Sequence, residues 1–459
     1  MQTIPFLSIG LRGFRPRRSA AMTLAALLLP LAGCGLLDTQ QPNLIDPNTL
    51  DSPEGAESLR LGAIGDFGFV KDGDGNESED GLILITGLMT DEFVHSTTPP
   101  SEQEIDQRNT ALINPSLSDP YRNQHKARAG AERAETALRQ FLPFPDSTPD
   151  VAEMLSLAGF SYVYFAEDFC SGVPFSRVSG DSLIFGQQLS TDQTFEAALA
   201  KFDSALADPG LLNTDDGTIG NLAAVGRARA LVGLGRFAEA ADAVVDVPTD
   251  YQYVTEHAIS PKRLQNAIFS YTNDFLWSVS DSEGVVGLPY RTAEDPRVPF
   301  TDFEDTGLDL ITPQFSLDKY PDVSAPVPVA DGIEARLIEA EAQLQANNRP
   351  GMTATLNDLR ASFPDFGLTD LSVPPNQDAA VDLLFSERAF WLFATGHRLG
   401  DMRRLVRPAP TGYGRPVDIV FPNGAYHKGG SYGPDVNLPI PIEEQNNPNV
   451  PAGCLNRDP

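Results

Sequence analysis

The chain has 459 residues, with 33 Lys or Arg against 63 Asp or Glu and a formal net charge of −30. Such a surface repels phosphate and offers no basic footprint, so a nucleic-acid partner is excluded. The length exceeds one ordinary hydrophobic core, so one large composite domain or two smaller ones are expected.

Residues 1–33 hold four arginines (Arg12, Arg15, Arg17, Arg18) and no acid, and end in the apolar run "AAMTLAALLLPLAG". A basic stretch followed by a short hydrophobic one is the layout of an export signal, too short for a comfortable transmembrane helix. Its end, Leu31-Ala32-Gly33-Cys34, resembles the lipobox of bacterial lipoproteins, which makes Cys34 the expected lipidation site. Several acyl chains on one cysteine suffice for stable membrane anchoring. Loss of the leader would take the net charge to −34. Export also permits disulfides. Cys170 and Cys454 are the remaining cysteines, either bonded to each other or buried as two thiols.

Residues 34–52 are polar and proline-punctuated and read as an extended tether. A single composite domain is expected over 53–459, opening with a helix at Pro53 capped by Ser52. Helical periodicity then recurs over Gln124–Phe141, Val151–Phe169, Thr191–Asp208, Ile219–Val247, Gly332–Leu344, Met352–Ser362 and Asp378–Val406. Within Asn221–Pro248, Ala223, Gly235, Phe237 and Ala240 fall where a tetratricopeptide-type hairpin needs small packing residues and a turn. Ile333–Ala361 repeats the plan around Asn-Asn-Arg-Pro-Gly. The expected fold is therefore mostly α, a helical-hairpin scaffold. Pro248–Ala330 and the chain after Arg407 are richer in Pro, Gly and aromatics, and are expected to form loops with short strands.

Motifs for catalysis fail on context. "GGSYG" (Gly429–Gly433) matches G-x-S-x-G but runs into Pro434 and Pro439 where a helix would have to follow. "DGDGNESEDG" (Asp72–Gly81) starts like a calcium loop, yet the sixth position is Glu77 and the twelfth Ile83, so a solvated acidic turn is expected. The five histidines are scattered without metal-ligand spacing. The sequence names no catalytic pair, metal or cofactor.

Asp378–Val406 reads as one buried helix, with apolar residues stepping by three or four. On it Glu387 and Arg398 share a face, and Arg398–Asp401 and Asp401–Arg404 are i,i+3 neighbours. An internal ion-pair ladder that docks the helix is expected. Glu387-Arg388, Gly396-His397-Arg398 and Asp401-Met402-Arg403-Arg404 together resemble the C-terminal signature of the SusD/RagB family, with Thr395 where that pattern has an acid. "MTDEF" (Met89–Phe93), "SGVPFS" (Ser171–Ser176), "EDPRVP" (Glu294–Pro299), "LDKYP" (Leu317–Pro321) and "NLPIPIEEQNNPN" (Asn437–Asn449) resemble further family segments in the same order. The signature itself falls within 259–459.

The resemblance implies a SusD-like helical scaffold with a loop-rich region. It also implies a non-catalytic outer-membrane lipoprotein that binds an oligosaccharide or peptide nutrient. Such a protein works as the lid of a TonB-dependent, SusC-like barrel and faces outward. The competing reading is a helical-repeat envelope adaptor with no small ligand. Sugars are held by aromatic faces and hydrogen-bonding side chains. Trp277, Tyr290 and Arg291 in the loop-rich middle are the first candidate ligand residues, and Phe93 with His95 the second.

Overall fold

The computed structural model describes residues 50–76, 80–142, 148–179, 182–207 and 217–459. The leader, Cys34, most of the tether and Glu77 lie outside them. Thirteen α-helices occur among the described residues. In chain order they are α1 (Pro53–Asp72), α2 (Leu82–Met89), α3 (Pro100–Asp106), α4 (Pro115–Phe141), α5 (Thr148–Asp168), α6 (Thr191–Leu206) and α7 (Thr218–Gly233). The rest are α8 (Phe237–Val244), α9 (Ala267–Asn273), α10 (Gly332–Gln345), α11 (Arg349–Ser362), α12 (Gln377–Trp391) and α13 (Arg398–Val406). None is long and apolar enough to cross a membrane.

Local chemistry sets the helix ends. Ser52 Oγ accepts the Gly55 amide at 3.0 Å, and Pro53 occupies the first turn of α1. Ser190 and Gln193 close a reciprocal capping box on α6. Asp331, Asn348 and Asn376 cap α10, α11 and α12 in the same side-chain-to-amide way.

The helices pack in succession. α1 lies on α4, α4 on α5, α5 on α6, α6 on α7, α7 on α8, and α8 on α10, which also meets α11 and α12. Small residues make this close stacking feasible. A Cβ on Gly226 of α7 would sit 2.3 Å from the Phe202 ring of α6, and one on Gly233 would sit 2.4 Å from Phe195. The two glycines are sockets seven residues apart, two helical turns, so they receive two rings from one neighbouring helix face. Gly235, at φ 73°, turns the chain from α7 into α8.

Among the described residues, five two-stranded antiparallel sheets form the other part of the fold. They use β1 (Phe93–His95), β2 (Val173–Pro174), β3 (Arg177–Ser179), β4 (Ser182–Ile184), β5 (Gln188–Leu189), β6 (Gln252–Thr255), β7 (Trp277–Val279), β8 (Phe300–Thr306), β9 (Pro313–Leu317) and β10 (Val327–Asp331). The pairs are β1–β7, β2–β5, β3–β4, β6–β10 and β8–β9. β1 and β7 align Phe93 with Val279 and His95 with Trp277. One large core runs from Ala56 to Ile440, and a smaller one gathers Leu337, Met352, Leu384, Phe385 and Trp391 around α10–α12.

Two expectations need correction. The helix expected over Asp378–Val406 is two helices, broken between Trp391 and Arg398 with Ala394 at φ 55° and Gly396 at φ 79°. The break is held from outside. Lys319 Nζ donates to the Phe393 carbonyl at 2.7 Å, Tyr320 Oη donates to the Ala394 carbonyl at 2.8 Å, and Glu92 accepts the Ala394 amide at 2.8 Å. These distant residues satisfy the backbone groups that a continuing helix would have used. The acidic turn also differs, because Asp72 is the buried last residue of α1, 3.0 Å from Lys71 Nζ.

Candidate functional site

Four of the five expected ligand residues lie in the interior. Phe93, His95, Trp277 and Tyr290 are each 0% exposed. Trp277 packs on Tyr271 (5.1 Å between centroids) and Phe93 (6.4 Å), and Tyr290 on Phe393 (4.7 Å). These rings join the loop-rich part to the α12–α13 junction, so a sugar does not reach them in this conformation. His95 accepts from Lys428 Nζ at Nδ1, 2.8 Å, while burial and Lys428 lower its pKa to about 3. Arg291 is partly exposed, with its guanidinium 3.6 Å over the Phe315 ring.

The charged signature is buried, and of the expected ladder the Asp401–Arg404 rung forms while Glu387 and Arg398 take other partners. The helix break separates Glu387 from Arg398. Glu387 instead receives Arg297 at 2.9 Å and Arg360, while Arg398 reaches Asp91 at 2.6 Å. Asp401 pairs with Arg388 at 2.7 Å and with Arg404 at 2.8 Å. Burial alone would raise the Asp401 pKa, yet Arg388 and Arg404 hold it below the usual carboxylate range. Thr395, lacking the acid of the family pattern, donates to the Leu392 carbonyl at 2.6 Å and lies 2.8 Å from His397 Nδ1. These pairs are internal fasteners, closed to a ligand.

An open cavity lies elsewhere, on α4. Ser118, Tyr121, Arg122, His125, Lys126 and Arg128 line a cavity of about 440 Å³, within the size range of ligand pockets. Their spacing of mostly three and four puts them on one side of the helix. Pro174 and Ser176 form the second wall, and Pro441, Glu443 and Glu444 the third.

Cross-links set the two outer walls. Cys170 and Cys454 are joined by a disulfide, S–S 2.01 Å, which ties the segment after α5 to the C-terminal tail. Nearby, Gln188 Nε2 donates to the Gly453 carbonyl at 2.6 Å and Asn449 Nδ2 to the Gly186 carbonyl at 3.1 Å.

Aromatic rings pack behind the α4 wall. The His125 ring lies 4.3 Å from Phe165 and 4.8 Å from Tyr121, which meets it edge-on. Burial, reinforced by Arg128, lowers the His125 pKa well below its usual value, so the imidazole is neutral. Burial and the facing Glu444 carboxylate push the Tyr121 phenol well above its usual value, so it keeps its proton. Arg128 donates to the Ser176 carbonyl at 2.8 Å and pairs with Glu132 at 2.6 Å. Among the buried polar atoms of this wall, His125 Nε2 and Arg128 Nε have no hydrogen-bond partner among the described residues. Such orphans are costly unless a ligand or water satisfies them.

The sequence reading missed this site because it began the helix at Gln124, nine residues inside α4. The stripe Ser118, Tyr121, Arg122, His125, Lys126 was the available signal. Glu443 and Glu444 sit in "NLPIPIEEQNNPN", noted for its resemblance and not for its chemistry. Among the described residues no group of three or more His, Cys, Asp or Glu side chains could hold a metal ion.

Stacked helices, helical hairpins and small two-stranded sheets in this arrangement define the SusD-like fold. A surface glycan-binding protein A from Bacteroides thetaiotaomicron matches with a TM-score of 0.65 and 14% identity, covering 89% of this chain and 100% of that one. A SusD-like carbohydrate-binding protein from Bacteroides fragilis matches at 0.64 and 16% identity, over 87% and 99%. A SusD superfamily protein from Parabacteroides distasonis gives 0.63 and 16%, over 86% and 98%. No family model matches the chain. No curated protein matches it either.

Proposed function

We propose that this protein binds oligosaccharide at the α4 cavity, without cleaving it, on the outer face of an outer membrane to which lipidated Cys34 anchors it. The cavity carries the reading: aromatic rings behind one wall, polar groups on three sides, and two buried polar atoms awaiting partners. The named binding roles of the structural neighbours support a glycan as the ligand class. In this reading the protein is the lid of a TonB-dependent, SusC-like barrel, capturing ligand outside and closing over the transporter.

Two measurements test it. The purified protein on an array of plant, microbial and host glycans is expected to retain at least one class, and Tyr121→Ala to release it. A pull-down from solubilised outer membrane is expected to bring a TonB-dependent barrel in stoichiometric amount. Envelope-assembly proteins in its place would refute the lid role.

A further inference from the structure

We infer that the α4 cavity takes an anionic sugar, a uronic acid unit whose carboxylate lies against Arg122 and Lys126; this rests on the glycan-binding reading above. The charge distribution points there. The chain as a whole carries −30, yet the cavity wall combines three cations (Arg122, Lys126, Arg128) with two acids (Glu443, Glu444). The lining itself thus carries one more positive than negative charge, and the carboxylates that pair with its cations, Asp119, Asp66 and Glu132, stand outside it.

The two sides of the cavity also differ in kind. The cations all come from α4, and the acids both come from the C-terminal wall. A neutral sugar would gain little from such a separation. A uronic acid can use both sides, its carboxylate meeting the guanidinium and ammonium while its hydroxyls donate to Glu443 and Glu444.

The cations can be recruited at small cost. Arg122 pairs with Asp119 at 2.8 Å and Lys126 with Asp66 at 2.8 Å, with the two basic side chains 64% and 66% exposed. Pairs this exposed contribute little, so exchanging a protein carboxylate for a ligand carboxylate is nearly neutral before the new hydrogen bonds form. Arg128 is different. It is buried and held by Glu132 and Ser176, and its unpartnered Nε is a donor left for the ligand.

Calorimetric titration of the purified protein with tetragalacturonic acid and with its methyl ester isolates the charge, because the two differ little in size and shape. The acid is expected to bind with an affinity that falls as salt is added. The ester is expected to bind about tenfold more weakly or worse, the loss of one charge-assisted hydrogen-bonded pair. The double variant Arg122→Ala/Lys126→Ala, at two exposed positions, should abolish the preference and leave the circular dichroism spectrum unchanged. Equal affinity for acid and ester, or unchanged acid binding by the double variant, overturns the anionic-sugar assignment while leaving glycan binding in place. Failure to retain any glycan on the array removes both readings.

Discussion

Arg398 grips Asp91 with two parallel hydrogen bonds, 2.6 and 2.8 Å, across 307 residues of sequence. Asp91 also accepts the Leu288 amide at 2.9 Å, so its carboxylate fastens α13, the loop after β7 and the approach to β1 at one point. "MTDEF" and the Gly-His-Arg step, which lie at opposite ends of the chain, are thus two halves of one contact. A bidentate Arg–carboxylate pair suits this role because its geometry fixes orientation as well as distance.

Breaking that pair is expected to be expensive. Arg398→Met leaves a buried carboxylate without its partner and should cost about 3–5 kcal/mol in urea unfolding. Asp91→Asn should cost a comparable amount, and the double variant far less than the sum. A double-mutant cycle with coupling near zero would show that the contact does not carry the docking assigned to it.

Glu92, one residue on, gives a pH signature. Its carboxyl is 1% exposed, and burial raises its pKa from 4.5 to about 8 despite the Ala394 amide and Arg398. The native state therefore holds a proton that the unfolded chain releases near its ordinary pKa. The group makes stability fall as pH rises from about 4.5 through about 8. Glu92→Gln keeps an acceptor for Ala394 and removes the titration. It should gain about 2–4 kcal/mol over the parent near pH 8 and converge with it near pH 5. Parallel stability curves for the two proteins across that range would contradict the assignment.

The Cys170–Cys454 bond closes a loop of 284 residues. Replacing either cysteine by serine should cost about 2–4 kcal/mol, chiefly by freeing the unfolded chain. Because the bond also joins two walls of the α4 cavity, ligand affinity should fall in the same variant. Non-reducing peptide mapping that recovers both cysteines as free thiols from native protein would remove this account.

The same glycine-to-alanine change should have opposite signs at two sites. At Gly62 in α1 an added Cβ meets nothing within 4 Å, so helix propensity alone applies and Gly62→Ala should stabilise by about 0.5–1 kcal/mol. At Gly226 the Cβ would lie 2.3 Å from Phe202, and overpacking of about 1–3 kcal/mol should outweigh that gain. Phe202→Leu should relieve part of the loss. Thermal melts in which both variants rise together would mean that the α6–α7 contact yields more easily than the geometry implies.

What could be read from sequence was short-range. The start of α1, the α7–α8 and α10–α11 hairpins and the mostly helical class follow from caps, turns and 3.6-residue periodicity, all set within a few neighbours along the chain. Partner choice at long range was not readable. Arg398 had an acceptor three residues away in Asp401, yet it bonds Asp91, because the chain breaks between α12 and α13 and turns it away. That break depends on Lys319, Tyr320 and Glu92, remote in sequence, capturing backbone groups that a helix would otherwise have used. Trp277 has the composition of a sugar platform and the location of a core residue. Burial is a property of the packed whole, and only there did the proposed binding surface move from the aromatic middle of the chain to the stripe on α4.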